Sequence, residues 1–142
     1  MRKRLAREAG SVGAVYAVAG MALLALLVAI VGVGALLEAR ARARGAAEAA
    51  VWAALSARDW AAAQACGCPR LDPGTAAMRA EEVLTMALAG REAAWTVGIE
   101  PGGVATVSVV LTAPTGLGWL GLPGTIPLQA EAGGRLEWWD TP

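Results

Sequence analysis

The sequence contains no histidine among its 142 residues, and only two cysteines. Without histidine, Ser-His-Asp and Cys-His catalytic sites and histidine-ligated metal sites are excluded. Two cysteines alone are too few for a structural zinc site. Charged residues are also scarce, at 17% against 56% hydrophobic residues, which argues against a wholly disordered chain. These absences predict a protein that is not an enzyme and holds no cofactor or metal.

The few charges are divided unevenly along the chain. Twelve bases and twelve acids give a formal net charge of zero. Residues 1–44 nevertheless carry a net +5, and residues 45–142 a net −5. Such asymmetry is typical of a chain that contacts a membrane or a nucleic acid at one end. Because the bases cluster beside an apolar segment and the body is acidic, we expect a membrane and no nucleic acid.

A run of 29 residues without a charge, residues 9–37, follows the basic N-terminus. Its core, SVGAVYAVAGMALLALLVAIVGVGALL, exceeds the roughly 20 apolar residues that cross a hydrocarbon layer as a helix. A buried core helix explains it poorly, since soluble helices are rarely apolar on all sides over this length. A secretory signal peptide cleaved at Ala39-Arg40-Ala41 is an alternative, although its apolar region would be about twice too long.

The bases that flank this run predict its orientation. The positive-inside rule places the N-terminus in the cytoplasm, because four bases precede the run and three follow it. We therefore predict a single-pass protein of the cytoplasmic membrane, in contact with lipid, with its acidic body outside. The bases before the run are Arg2, Lys3, Arg4 and Arg7, and those after it are Arg40, Arg42 and Arg44.

Beyond the run, the alanine-rich segment 38–68 is predicted to continue the helix as a stalk. It contains no proline, and its single Gly before residue 67 weakens a helix by only about 1 kcal/mol. Helical spacing places Val51, Trp52 and Leu55 on one face and stacks Trp60 in the same row as Trp52.

A second helix is predicted after the cysteines. Asp72-Pro73 is a favoured combination of an N-cap followed by proline at the first helical position. The helix continues through TAAMRAEEVLTMALA, with Leu84 and Leu88 on its buried side. Gly90 is the predicted C′ residue that ends it.

A small antiparallel sheet is predicted after residue 92, because the hydrophobic period changes from helical to two. A turn at Pro101-Gly102-Gly103 joins the first two strands, and Gly133-Gly134 is interpreted as another turn. Pro127 predicts that the third strand lies at the edge of the sheet. The apolar positions of the three strands are Trp95, Val97 and Ile99; Val107, Val109 and Leu111; and Ile126, Leu128, Ala130 and Ala132.

Two segments, one near each end, carry a family resemblance. The first is the basic leader, then Arg-Glu-Ala-Gly-Ser-Val at residues 7–12 and the apolar helix. The second is the alternating strand from Ile126 to Arg135-x-Glu137, after the loop PTGLGWLGLPG. Together they resemble TadE-like proteins, the minor pilin-like components of the Tad (Flp-type) pilus and related type IV filament or secretion systems. The resemblance covers both ends and the overall layout, while residues 45–94 add only helicity.

The resemblance implies a pilin-like subunit that assembles with other pilin or pilus-assembly subunits through its apolar helix. It also implies cleavage by prepilin peptidase between Gly10 and Ser11. At the fifth residue after that point the family carries a glutamate, which pairs with the N-terminal amine of a neighbouring subunit; this chain has Val15. Three interpretations follow: a tip or initiating subunit, an uncleaved assembly factor in the membrane, or an unrelated anchored protein.

These observations predict four segments and an α+β fold. The segments are a leader (1–10), a transmembrane helix (11–37), a helical stalk (38–68) and a small extracytoplasmic head (69–142). A pilin-like structural or assembly function competes with that of a membrane-anchored binding or regulatory domain unrelated to filaments, and an anchored enzyme ranks third.

Two further sites are predicted in the body. Cys66 and Cys68 form a strained local disulfide, pair between molecules, or stay as two free thiols. Apolar side chains of the glycine-rich loop and the tail are predicted to contact a partner. They are Trp119, Leu120, Leu122 and Trp139.

Overall fold

A computed structural model of the chain describes residues 2–68, 70–100, 102–116, 118, 121 and 123–137, with the backbone alone for residues 2–11. These residues form three helices followed by a three-stranded antiparallel sheet, so the predicted α+β class is confirmed. The helices are α1 (Arg2–Leu55), α2 (Trp60–Cys66) and α3 (Pro73–Ala87), and the strands are β1 (Ala93–Glu100), β2 (Val104–Pro114) and β3 (Thr125–Arg135).

Helix α1 joins the predicted transmembrane segment and the start of the predicted stalk in one continuous helix of 54 residues. Gly45 does not interrupt it. Residues 12–37 are exposed or half-buried, whereas one face of the helix is buried from Ala39 onwards. The second half of α1 is therefore a core helix of the head and does not stand apart as a stalk. Its buried side chains are Ala39, Ala43, Ala46, Ala47, Ala50, Val51, Ala54 and Leu55.

The chain leaves the helical path after Leu55, which corrects two predictions. Arg58 forms an isolated β-bridge with Leu71, and the carboxylate of Asp59 caps the short helix α2. Trp60 therefore begins a new helix and does not continue the row of Trp52. Trp52 is also 74% exposed, because it lies almost opposite the centre of the buried alanine stripe at 100° per residue.

Helix α3 begins as predicted. Asp72 is the N-cap and Pro73 the first helical residue. The Asp72 carboxylate accepts hydrogen bonds from the Thr75 hydroxyl and from the Gly74 N–H at 3.2 Å. The Thr75 hydrogen bond is the main cause of a lowered pKa at Asp72. Gly90 adopts a positive φ of 73°, but it lies two residues after the C-cap Leu88, one residue later than predicted.

The sheet has the order β1-β2-β3, and helices α1 and α3 cover one of its faces. The predicted alternation is confirmed most clearly in β2, where Val107, Val109 and Leu111 are buried. Helix α1 packs across β2 and β3, while α3 packs on β1. Strand β3 is at an edge, as Pro127 predicted.

The predicted turn at Gly133-Gly134 is wrong. Both glycines lie within β3, where they pair with Thr106 and Ala105. A Cβ atom added at Gly134 would lie 2.7 Å from Val51 Cγ1 and 2.9 Å from the Leu55 side chain. The missing side chain is therefore what allows β3 to approach α1 this closely.

We expect Gly134→Ala to destabilise the head by about 1–3 kcal/mol, because its methyl group would overpack the contact with α1. Gly133→Ala is the matched control, since a Cβ there meets its nearest atoms at 3.8 Å. Thermal unfolding of the two variants, followed by tryptophan fluorescence, checks this. Equal melting temperatures would show that α1 and β3 are not in the contact described.

Candidate membrane segment and assembly surface

Within the described residues, one helix is long and apolar enough to cross a membrane, and it lies near the N-terminus. Its most apolar part is not buried anywhere in the protein. Exposed apolar surface on this scale marks a contact with lipid or with other proteins. The exposed large side chains include Val12, Val15, Tyr16, Val18, Met21, Leu23, Leu24, Leu26, Leu27, Ile30, Val31, Val33 and Leu37.

The residues implied in processing lie at the start of this helix. Gly10 and Ser11 both have helical backbone, as have the basic leader residues Arg2, Lys3, Arg4 and Arg7. The side chains of all six lie outside the described part. Val15, at the position where the family has glutamate, is 67% exposed on the apolar surface. Cleavage after Gly10 stays a prediction.

The end of the β2–β3 hairpin touches the apolar helix, which the sequence did not predict. A Cβ atom built on Gly32 would lie 3.0 Å from the Thr115 carbonyl oxygen, so only glycine fits this contact without a shift. Thr115 is buried, and its hydroxyl donates to the Pro123 carbonyl at 2.6 Å while its N–H donates to the Gly124 carbonyl at 2.9 Å. These two hydrogen bonds close the base of the loop. Gly32 lies within an apolar run and has regular helical backbone, so the sequence gave no indication of this contact.

A second contact fixes the direction of the sheet relative to α1. Gly134 lies against Val51 and Leu55, and it pairs with Ala105 of β2. From Ala105 to Thr115 the strand advances about 33 Å at 3.3 Å per residue. From Gly32 to the Val51–Leu55 pair the helix advances about 29–35 Å at 1.5 Å per residue. The two lengths agree, so β2 runs alongside α1 towards its apolar half.

The polar part of α1 begins immediately after the apolar run. Glu38 pairs with Arg42, and Arg44 Nε donates to Glu48 Oε1 at 2.8 Å. Both pairs have i,i+4 spacing and are exposed, so each contributes little to stability. The two pairs mark the level along α1 at which the helix surface changes from apolar to charged.

Cys66 and Cys68 are joined by a disulfide, which is the first of the three predicted states. Their Cα atoms are 5.3 Å apart, within the usual range. Gly67 between them has a positive φ of 65° and caps the C-terminus of α2. Both cysteines are exposed, and the bond closes only a very short loop.

The predicted partner contacts Trp119, Leu120, Leu122 and Trp139 lie outside the described residues. Two other tryptophans, Trp52 and Trp60, are largely exposed on the described surface. The Arg58 guanidinium lies 5.7 Å from the centroid of the Trp60 ring, within cation–π range. Sequence reasoning assigned Trp52 to a helix row and missed its exposure, because periodicity does not say which face the sheet covers.

The acidic side chains of the described residues lie apart from one another. No group of three or more Cys, Asp or Glu side chains there is close enough to hold a metal ion. Glu131, for example, accepts a hydrogen bond from Gln129 Nε2 at 2.9 Å on the outer face of the sheet, where both side chains are exposed.

Comparison with known proteins adds no relative: no protein-family model matches the sequence, and no curated protein or solved structure is significantly similar to it.

Proposed function

We propose that this chain is a TadE-like minor pilin or pilus-assembly subunit, inserted in the cytoplasmic membrane with its head outside. The observation that carries the proposal is the continuity of α1. A single helix begins in the basic leader, passes through the charge-free segment, and ends in the core of the head. A subunit built this way has no linker between its apolar half and its head.

The exposed surface of the apolar half supports assembly through that helix. In the membrane it is covered by lipid, and in a filament neighbouring helices replace the lipid. The exchange is possible because residues 12–31 make few contacts with the chain's own head. The disulfide supports an extracytoplasmic head, since disulfides persist in oxidising compartments and are rare in the cytosol.

Val15 narrows the role within such an assembly. A free N-terminal amine in an apolar core is costly unless a carboxylate pairs with it. A subunit with Val15 supplies no carboxylate at that position to a neighbour's amine. We therefore assign it to a place with no subunit ahead of it, at a filament tip, or to the membrane as an assembly factor.

The mass of the protein recovered from cells tests the proposal. We expect a mature chain that begins at Ser11 for a tip subunit, and a full-length chain confined to the membrane for an uncleaved assembly factor. Gly10→Leu should retain the ten-residue leader, because prepilin peptidase cleaves after a glycine in the family that this sequence resembles. Gly13→Leu is the matched control: Gly13 lies one turn further along the same helix, has open space around it, and should be processed normally.

The cell fraction that contains the protein distinguishes a tip subunit from an assembly factor. A processed chain in sheared extracellular material supports a tip subunit, and a chain confined to the membrane supports an assembly factor. A full-length wild-type chain in every fraction, including sheared material, would contradict the pilin function and favour a membrane-anchored binding or regulatory domain.

A further inference from the structure

We propose that the end of the sheet nearest the apolar helix is a lipid-binding surface that seats the head on the outer leaflet. The surface consists of residues 113–116 and 123–127, here called the membrane-proximal tip, together with the cleft between the tip and α1. This inference rests on the membrane insertion in the proposed function. It further specifies how deeply α1 is inserted and that the head contacts lipid.

The absence of charge at this end of the head is the first argument. Residues 101–130 contain no charged side chain, so β2, the loop after it and the first half of β3 are all uncharged. Arg91 and Glu92 are charged residues of the head that lie immediately before β1. The Glu92 carbonyl accepts a hydrogen bond from the Thr112 N–H at 3.0 Å, which places Glu92 beside Thr112.

The first charges on the sheet and on α1 lie at similar distances from the contact between Thr115 and Gly32. Thr112 precedes Thr115 by three residues, which is about 10 Å along a strand. Along α1, Glu38, the first charge after the apolar run, lies six residues and about 9 Å beyond Gly32. Below this level neither element carries a charge. One level surface therefore separates the charged part of the protein from the uncharged part, as expected where a protein enters the lipid headgroups.

The length of α1 then limits how far the tip is from the hydrocarbon. The hydrocarbon does not extend beyond Gly32, because residues 115–116 and 123–124 at this level belong to a loop, and lipid-exposed loops do not occur within the hydrocarbon region. On the other side it is limited by Glu8 in a full-length chain, or by the N-terminal amine of Ser11 in a cleaved one. Residues 9–31 span about 35 Å as a helix and residues 11–31 about 32 Å, against a hydrocarbon thickness of about 30 Å. The tip therefore lies within about 5 Å of the hydrocarbon surface.

The cleft beside the tip is suited to an acyl chain. It has a volume of about 450 Å³ and is bounded by α1 on one side and by residues 114–116 on the other. Its α1 wall consists of Leu27, Val28, Val31, Gly32 and Ala35. This wall extends from the level of the tip down into the predicted span. A phospholipid of the outer leaflet can therefore place its headgroup beside the tip and its chain along this wall.

Depth-dependent fluorescence quenching tests the proposal in the full-length protein. Single cysteines are introduced in a Cys66→Ser/Cys68→Ser background, labelled with the environment-sensitive fluorophore NBD, and reconstituted in phosphatidylcholine–phosphatidylglycerol vesicles. Gly124→Cys probes the tip, and Gly102→Cys is the matched control at the opposite end of the sheet. A Cβ has open space at both glycines, and neither has a positive φ. Leu24→Cys, an exposed position near the middle of the apolar segment, reports insertion itself.

We expect a nitroxide on the lipid headgroup to quench the Gly124 probe by more than half. The Gly102 probe should be unaffected, because it is more than about 30 Å further along the strand. A nitroxide at carbon 12 of the acyl chain should quench the Leu24 probe.

Two failures are distinguishable. If the Leu24 probe is quenched but the Gly124 probe responds no more than the Gly102 probe, the proposal that the tip binds lipid is contradicted. Membrane insertion of α1 is then still supported. A Gly124 probe that is blue-shifted but unquenched by any lipid nitroxide would assign the surface to a protein, such as a second copy of this chain, and also overturns the proposal. If the Leu24 probe is not quenched, membrane insertion itself fails.

Discussion

Replacing Leu24 and Leu27 together by lysine is expected to remove the protein from the membrane. Both side chains are exposed on the apolar half of α1, about 8–12 Å from the level of the head contact at Gly32. A lysine near the centre of a membrane helix costs roughly 2.5–3.5 kcal/mol. Two of them cost roughly 6 kcal/mol, enough to lower the equilibrium constant for membrane insertion by several orders of magnitude. Extraction of membranes with alkaline carbonate, followed by immunoblotting, measures the loss.

The control for this variant adds the same two charges elsewhere. Met78→Lys with Met86→Lys places both lysines on the exposed side of α3, outside the predicted span. This variant should stay in the carbonate-resistant fraction like the wild type. Equal retention of the two double variants would mean that residues 12–37 do not span the bilayer and that the chain is held by another contact.

The second large effect is expected in the core of the head. Leu84→Ala should lower the free energy of unfolding by about 3–5 kcal/mol. The Leu84 side chain is 0% exposed where α3 meets α1 and the sheet. The core cluster that contains Leu84 also includes many alanines from α1, whose side chains have no rotamers with which to fill a cavity. The cost should therefore be in the upper part of the usual range, and for a head this small it approaches the whole stability.

Met86→Ala is the matched control, because Met86 is on the same helix and 64% exposed. It should change the free energy of unfolding by less than about 0.5 kcal/mol. Denaturant unfolding of the full chain in detergent, followed by tryptophan fluorescence, measures both variants. If the two variants unfold at the same denaturant concentration, α3 does not pack through the face that contains Leu84.

The sequence predicted those features that depend on local order along the chain. The N-cap at Asp72 and Pro73 marked the start of α3, and alternation identified the buried side of β2. Pro127 correctly indicated an edge strand, because a residue without an N–H cannot complete a central ladder. Each of these signals operates within a few residues, so no knowledge of the partner element was needed.

Predictions failed where one element had to be placed against another. Gly133-Gly134 has the composition of a turn, yet it is strand because α1 needs the space that a side chain at Gly134 would occupy. Trp52 was assigned to one face with Val51 and Leu55, whereas the sheet covers the opposite side of α1 and leaves Trp52 exposed. The break after Leu55 was missed because the sequence there stays rich in alanine, and the cap at Asp59 is effective only once the chain turns towards Leu71.

By itself the sequence determined the sign and place of the charges, the length of the charge-free helix, and the change from helical to strand periodicity. Only the tertiary structure decided where along α1 the head begins. That height depends on two close contacts, at Gly32 and Gly134, which bring β2 and β3 alongside the helix. Glycine leaves no hydrophobic signal at either position, and the contacts join residues about 80 apart in the chain. No local sequence pattern encodes the position of the head along α1. That position aligns the uncharged end of the head with the end of the apolar segment of the helix.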